Sequence, residues 1–424
     1  MIASLKRILY FAVASYFRFF AHIRLNRWQP RVIAVTGSSG KTTLLHLLEA
    51  QLGNRARYSH HANSAIGIPF DILGLKRKTL LFYEWPLLFL LAPIKAFTAP
   101  PREKIYIAET DCDRPGEGAF LGSLLCPEVC LWLNATRTHS MNFDRLVEKK
   151  DFPTIESAVA REFSYLARHT SGLVVANNDL PQMSKELRQI KVPLALLEKK
   201  KLLNSYAPGL TRTGFTVRRM PYALPALAVE DVWYAVAATV CTLDYLSLPL
   251  DPAFSKFYPP PGRSSVFRGI RGVKIIDSSY NANLSSMTNV ISMFDHLPVR
   301  KKWLVISDML EQGALEKEEH EKLARILLGI KAERFILVGP RTGRYVYPLM
   351  KKALKERAPL QHFPAPREAL AYLQQEITGR ETVLFKGGRF LEGIIGHLLE
   401  NPQDRQRLCR REKIWDIRRK HWGL

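Results

Sequence analysis

The stretch from Val32 to Thr43, VIAVTGSSGKTT, constrains this chain more than any other. The β-branched residues Val32, Ile33 and Val35 read as a strand that runs directly into Gly37-Ser38-Ser39-Gly40-Lys41-Thr42-Thr43. Beyond them, LLHLLEAQL has helical spacing. In a strand, glycine-rich turn and helix of this kind, the unpartnered backbone N–H groups and positive dipole end of the helix make a cradle for phosphate. Lys41 is placed to reach the β- and γ-phosphates of ATP, and the Thr42 hydroxyl to hold a magnesium ion. Against the fuller pattern G-x-x-x-x-G-K-[ST], the loop here is shortened to G-x-x-G-K-T.

A chain of 424 residues can hold two or three domains, each with its own core. An excess of 62 Lys and Arg over 39 Asp and Glu gives a formal charge of +23, which attracts nucleotides, nucleic acid or anionic lipid without choosing among them. Neither a helix-turn-helix pattern nor an RNP-type aromatic motif is present, so the charge has no nucleic-acid reader. The odd number of cysteines, with no C-x-x-C pair, reads as reduced thiols in a cytosolic chain.

Residues 1–30 form an apolar, aromatic and basic segment whose uncharged core, Ile8 to Phe17, is too short to cross a bilayer. A signal peptide would export an ATP site to a compartment without ATP. Two readings stay open: an interfacial helix on the anionic inner face of the membrane, or a helix packed on the protein's own body. Leu80 to Phe97 is a second apolar stretch, and its Pro86 and Pro93 predict a surface hairpin. KIYIAET ends a strand on Glu109, and His139 follows the strand Val129 to Leu133. Ligands of open α/β sheets bind at carboxyl ends of strands, where a carboxylate and an imidazole suit magnesium and its phosphates.

After prolines 252 and 259–261 a new unit alternates strand and helix, which predicts a Rossmann-like sheet. The expected architecture is α/β: a P-loop central domain with a mostly parallel sheet over 31–257, a C-terminal Rossmann-like domain over 258–402, and a basic tail helix over 403–424.

Taken together these blocks resemble the Mur ligases, the ATP-dependent amide-forming enzymes of peptidoglycan assembly, and most closely the D-alanyl-D-alanine-adding type. TGSSGKTT matches the family's shortened loop at 36–43, and Asn63 to Pro69 its N-x-x-G-x-P segment, one residue out. Glu109 with Pro115-Gly116-Glu117 is similar to its metal-binding block, and His139 to the histidine after its T-N strand. In the C-terminal half, Arg263 resembles its hinge arginine, Asp277 to Leu284 its adenine- and ribose-gripping block, Ser307 to Gly313 its G-D-M-x-E-L-G, and Lys386 to Arg389 its K-G-S-R.

The resemblance implies ATP and Mg2+ as cofactors, and a peptide carboxylate activated as an acyl phosphate and opened by an amino acid or dipeptide. Its catalytic set is Lys41, Glu109, His139 and Arg263; Thr42, Glu109 and His139 hold metal; Arg263 and Asn281 join the loop in binding ATP. Asn63, Asp308 and Lys386 are implied on the substrate side. The chain departs from the family in three places. An apolar helix stands where the family carries a uridine-binding domain. Ala160-Arg161-Glu162 stands where a carbamylated lysine is expected, and Val229-Glu230-Asp231 replaces G-x-H-N. A poly-γ-glutamate synthase, a ligase of lipid-linked precursors and a non-catalytic ATP-binding scaffold at the membrane are the alternatives.

Overall fold

The computed structural model describes residues 2–60, 62–77, 82–137, 142–310, 312–355, 358–388 and 390–424. The chain forms two units, one from residues 1–202 with 234–251 and the other from 203–233 with 252–424.

The first unit runs α1 (Ile2–Trp28), β1 (Arg31–Thr36), α2 (Lys41–Leu52), β2 (Ala56–Tyr58), α3 (Gly67–Leu73), α4 (Trp85–Phe97), β3 (Ile105–Thr110) and α5 (Glu117–Leu125). It continues through β4 (Val129–Trp132), α6 (Asp144–Glu148), α7 (Ile155–Arg168), β5 (Leu173–Asn177), α8 (Pro181–Leu187), β6 (Leu194–Leu197) and α9 (Lys199–Leu202). Its six strands lie in the order β2-β3-β1-β4-β5-β6, every neighbouring pair parallel. Between β3 and β4 the chain crosses β1. The carboxyl ends of these three strands therefore flank the point where the strand order reverses, the place such sheets leave for a ligand.

Of the two readings of the N-terminal segment, one face of α1 fits packing on the protein's own body. Ala14, Phe17, Ala21, Leu25 and Trp28 recur at helical spacing and are buried in one core with α3 and α4. Tyr16 Oη donates to Phe89 O at 2.8 Å, and Arg27 Nη1 to Ala96 O at 2.8 Å. Of the hairpin expected between Leu80 and Phe97, residues 80 and 81 lie outside the described residues, and Trp85–Phe97 is instead the single helix α4. Pro86 sits in its first turn, where the missing N–H is no loss, and only Pro93 falls inside. Among the described residues no helix is long and apolar enough to cross a membrane.

The second unit opens with β7 (Leu203–Ala207), β8 (Thr213–Val217) and β9 (Met220–Leu224), an antiparallel sheet, before α10 (Val232–Leu246) leads back to the first unit. Residues 203–233 thus belong with the C-terminal residues, whereas the sequence placed them in the central domain. Leu227 shares a core with Ile276 and Leu304, and Asn289 Nδ2 donates to Asp231 Oδ2 at 2.5 Å. Then follow β10 (Ser265–Arg268), β11 (Lys274–Ser278), α11 (Leu284–His296), β12 (Lys301–Ser307), α12 (Glu316–Leu328), β13 (Arg334–Val338) and α13 (Tyr347–Leu354). The chain closes with β14 (Leu360–Phe363), α14 (Pro366–Glu376), β15 (Glu381–Lys386), α15 (Leu391–Leu398) and α16 (Lys413–His421). The sheet order is β10-β11-β15-β12-β13-β14, parallel except for β10 against β11. Both units are α/β, as the strand and helix alternation predicts.

Candidate functional site

β1 carries its apolar run fully into the core and ends at Thr36, whose carbonyl accepts the Leu133 N–H at 3.0 Å. The turn that follows demands glycine twice. Gly37 has φ +135° and a Cβ there would lie 3.0 Å from Asn134 N, while Gly40, at φ +83°, precedes α2. Asn134 latches the loop to the end of β4, its Oδ1 accepting the Ser39 N–H at 3.0 Å and its Nδ2 donating to Ser39 O at 3.1 Å. Ser38 Oγ donates to Thr136 O at 2.6 Å and accepts the Thr136 N–H at 2.9 Å. The side chain of Ser38 and the backbone of Ser39, assigned to ATP from the sequence, thus shape the loop. The first N–H groups of α2, at Lys41, Thr42 and Thr43, have no earlier turn to bond to and form the anion cradle.

Lys41 is buried, and its ammonium donates to Gly37 O at 2.5 Å and lies 3.1 Å from Asp111 Oδ2. Burial alone disfavours the charged form. The carboxylates of Asp111, Glu109 and Asp113 outweigh it and hold the lysine above its ordinary range, so the ammonium stays charged. Thr42 Oγ1 donates to Glu109 Oε1 at 3.1 Å. Glu109 is buried, and its N–H donates to Ser59 Oγ at 2.7 Å. The Asp111 N–H donates to Asn63 O at 2.6 Å, which brings the backbone of Asn63 to the same strand end. Lys41, Thr42, Glu109 and Asn63 are therefore gathered in one place. The hydroxyl of Thr42, at the start of α2, and the carboxylate of Glu109, at the end of β3, are hard oxygen donors that fit magnesium. His139 lies outside the described residues, as do Glu311 and Arg389.

At the position of the expected carbamylated lysine, Arg161 pairs through Nε with Glu186 at 3.1 Å, a carboxylate that also takes Arg168 at 2.7 Å. Its charge is thereby engaged on α8. Its neighbour Glu162 accepts the N–H groups of Gly116 and Gly118 at 2.9 and 3.1 Å and caps α5. Buried Glu117 receives Tyr10 Oη at 2.6 Å, fastening α1 to the same corner.

In the second unit, Arg263 stacks its guanidinium 4.3 Å from the centre of the Tyr280 ring. Lys386, buried at the end of β15, donates to Asn281 O at 2.6 Å. Burial, reinforced by the positive charge of Arg263, lowers its pKa to about 7. Arg263, Asn281 and Lys386 are thus drawn together. Asp308 is engaged elsewhere: its Oδ1 accepts the N–H groups of Arg341 and Thr342 at 3.0 and 2.9 Å.

Three residues of the first unit's site were not singled out from the sequence. Asp111 follows the Glu109 strand end by only two residues, a signal within reach. Ser59 and Asn134 act through contacts across strands, which sequence spacing does not report.

Residues 262–389 match the family model for the Mur ligase, glutamate ligase domain. The chain is 24% identical over 386 residues to the UDP-N-acetylmuramoyl-tripeptide–D-alanyl-D-alanine ligase of Bacillus subtilis, covering 88% of this chain and 76% of that one. It is 25% identical over 394 residues to the enzyme of the same name from Escherichia coli, covering 88% and 77%. Among solved structures, the MurF ligase of Thermotoga maritima in complex with ADP superposes with a TM-score of 0.71 at 22% identity, covering 92% of this chain and 84% of that one.

Proposed function

We propose that this chain, whose residues 262–389 match the Mur ligase, glutamate ligase domain and which is similar over most of its length to MurF-type enzymes, is an ATP-dependent ligase that joins a carboxylate to an amine. The finer reading adds D-alanyl-D-alanine, or a similar amine, to a peptide of a peptidoglycan precursor. The substrate's carboxylate attacks the γ-phosphorus of ATP, the bond to the ADP oxygen breaks, and an acyl phosphate forms. The amine then attacks the acyl carbon, phosphate leaves, and the amine's proton passes to solvent. Phosphorylation is needed because a carboxylate has no usable leaving group at neutral pH, and the two-step route divides one hard reaction.

One observation carries this reading: Lys41, Thr42, Glu109 and Asp111 converge on a glycine-bounded helix start. Lys41 brings a fixed positive charge to the transferring phosphoryl group, where charge stabilisation dominates catalysis. Bound magnesium, held by Thr42 and Glu109 with His139 as the resemblance's further ligand, would neutralise phosphate oxygens. Arg263, Asn281 and Lys386 are the second unit's candidates for nucleotide and substrate. The deciding assay is ADP release by the full chain with UDP-linked tripeptide, lipid-linked peptide or glutamate as acid, each with and without D-alanyl-D-alanine. Release that requires both the UDP-linked acid and the dipeptide is the expected result. Dependence on lipid-linked peptide or glutamate would move the assignment to a sibling ligase, and nucleotide binding without release would overturn it in favour of a scaffold.

The reading includes peripheral attachment to an anionic membrane face, on the side where ATP is present. Leu87, Leu90, Ile94 and Phe97 recur along one stripe of α4 and are 59–69% exposed, with Phe19 of α1 at 62%. Neither helix contains an acidic residue, and Arg27 lies over the Phe97 ring at 5.8 Å. An apolar stripe edged by cations is the surface an anionic leaflet favours. Flotation with phosphatidylglycerol vesicles tests it. The intact chain should float and the Leu90→Gln/Ile94→Gln variant should not; equal flotation would remove this face from the proposal.

A further inference from the structure

A second group of ligating side chains lies in the first unit, and the phosphate site does not use it. His46 and Glu49 are one turn apart on α2 and so share a face. His60 reaches them from the segment after β2. One ligand atom from each of the three lies within 4.8 Å of the others, and this is the only such triad among the described residues. His60 Nε2 is 3.2 Å from Glu49 Oε1, and the His46 and His60 rings meet edge to face at 5.3 Å. The Tyr58 ring stacks on His60 at 5.7 Å and fixes its plane.

We propose that His46, Glu49 and His60 form a transition-metal site, of the zinc type, distinct from the magnesium site on Thr42 and Glu109. Two imidazoles and one carboxylate are the donor set of three-ligand zinc centres that keep a fourth position for water. Such mixed nitrogen and oxygen donors select zinc, cobalt or nickel over magnesium. With metal–ligand bonds of about 2.0–2.1 Å, the edges of a tetrahedron are about 3.3 Å. The Glu49–His60 pair, at 3.2 Å, already has that separation, and no pair needs to close by more than about 1.5 Å, within reach of side-chain rotation. A His60–Glu49 ion pair uses two of the three groups, whereas a metal ion would use all three.

The site's position gives it a consequence. The ion would clamp α2, which begins at Lys41, to the segment holding Ser59, whose Oγ receives the Glu109 N–H. His46 and His60 are thus positioning residues that act on Glu109 through Ser59. The proposal stands on these side chains alone and does not depend on the ligase reading.

The test uses the full chain, stripped with chelator and titrated with Co2+ and then Zn2+. We expect uptake of one equivalent of Co2+ with the intense visible bands of tetrahedral cobalt, displaced by Zn2+, and a higher melting temperature with metal. His46→Ala and His60→Ala should each weaken uptake at least 100-fold, while the metal-stripped variants melt as the stripped parent does. Should either alanine variant fail to fold, Glu49→Gln, which preserves shape, should still lower affinity by at least 10-fold. Absence of stoichiometric uptake by the parent would overturn the proposal. So would uptake that both histidine variants and Glu49→Gln leave unchanged.

Discussion

The ammonium of Lys41 is held 3.1 Å from the carboxylate of Asp111, at a strand end where both side chains are largely withdrawn from water. A buried cation needs an opposite charge nearby, and the loss of one partner costs more than the pair contributes. If Lys41 binds the γ-phosphate of ATP, as proposed, that phosphate and Asp111 would compete for one cation.

That competition can be measured. In Asp111→Asn the ammonium keeps only the more distant carboxylates, and stability should fall by about 1–3 kcal/mol. ATP should then raise the melting temperature of the variant more than that of the parent, because the nucleotide restores the missing charge. Equal ATP-induced shifts would show that Asp111 is not a stand-in for phosphate. Lys41→Ala should lose about 10²–10³-fold or more in acid- and amine-dependent ADP release.

Ser59 supplies the acceptor for the N–H of Glu109, and both are buried. Ser59→Ala leaves that donor unpaired, at a cost of about 1–3 kcal/mol. The carboxylate that Thr42 contacts should lose its fixed position as well. The magnesium concentration for half-maximal ADP release should rise by about 10-fold, in the range typical for loss of a supporting contact. Activity titrations with Mg2+ on Ser59→Ala and Ser59→Thr check this, since threonine keeps the hydroxyl.

The loop at Gly37–Thr43 was legible because its chemistry is local: glycines at turn positions, then lysine and threonine at a helix start. The Glu109 strand end was legible for the same reason, as was the alternation that builds both sheets. Contacts across strands were not. Asn134 holds Ser39 across 95 residues, and no periodicity marks such a partner. The segment 203–233 was misplaced because its short strands pack through Leu227 onto residues far along the chain. In the same way the hydropathy of α1 did not say which face Phe17 would bury, since only the α3 and α4 surfaces decide it.

Lys386 has its pKa lowered to about 7, by burial first and by Arg263 second, from an ordinary value of 10.5. Below about pH 7 the side chain is charged in both the folded and unfolded chain; above 10.5 it is neutral in both. Between these limits the unfolded chain binds more protons, so stability rises with pH across the window and is lost again as pH falls through 7. Lys386→Met cannot titrate. The difference in urea midpoint between parent and variant should therefore change steadily between pH 7 and 10, in the parent's favour as pH rises. A constant difference over that range would place the lysine's titration outside it.

Asp308 and Gly339 form a matched pair. Gly339 has φ +112°, and a Cβ on it would lie 2.7 Å from Asp308 Oδ1, the atom that accepts the Arg341 and Thr342 N–H groups. Gly339→Ala therefore meets both the left-handed backbone penalty of about 1–2 kcal/mol and a clash with the carboxylate. Asp308→Ala removes the acceptor of two N–H groups, one of them buried, at about 1–3 kcal/mol for each that goes unpaired. Asp308→Asn keeps an oxygen in the same position and should cost less than either. If this carboxylate organises the turn after β13, urea midpoints should fall most for Gly339→Ala and Asp308→Ala and least for Asp308→Asn. ADP release by Asp308→Asn should stay within about threefold of the parent, the range left when no charged contact to substrate is removed. A variant as stable as the parent but inactive would instead make Asp308 a substrate contact, the role the family resemblance implies.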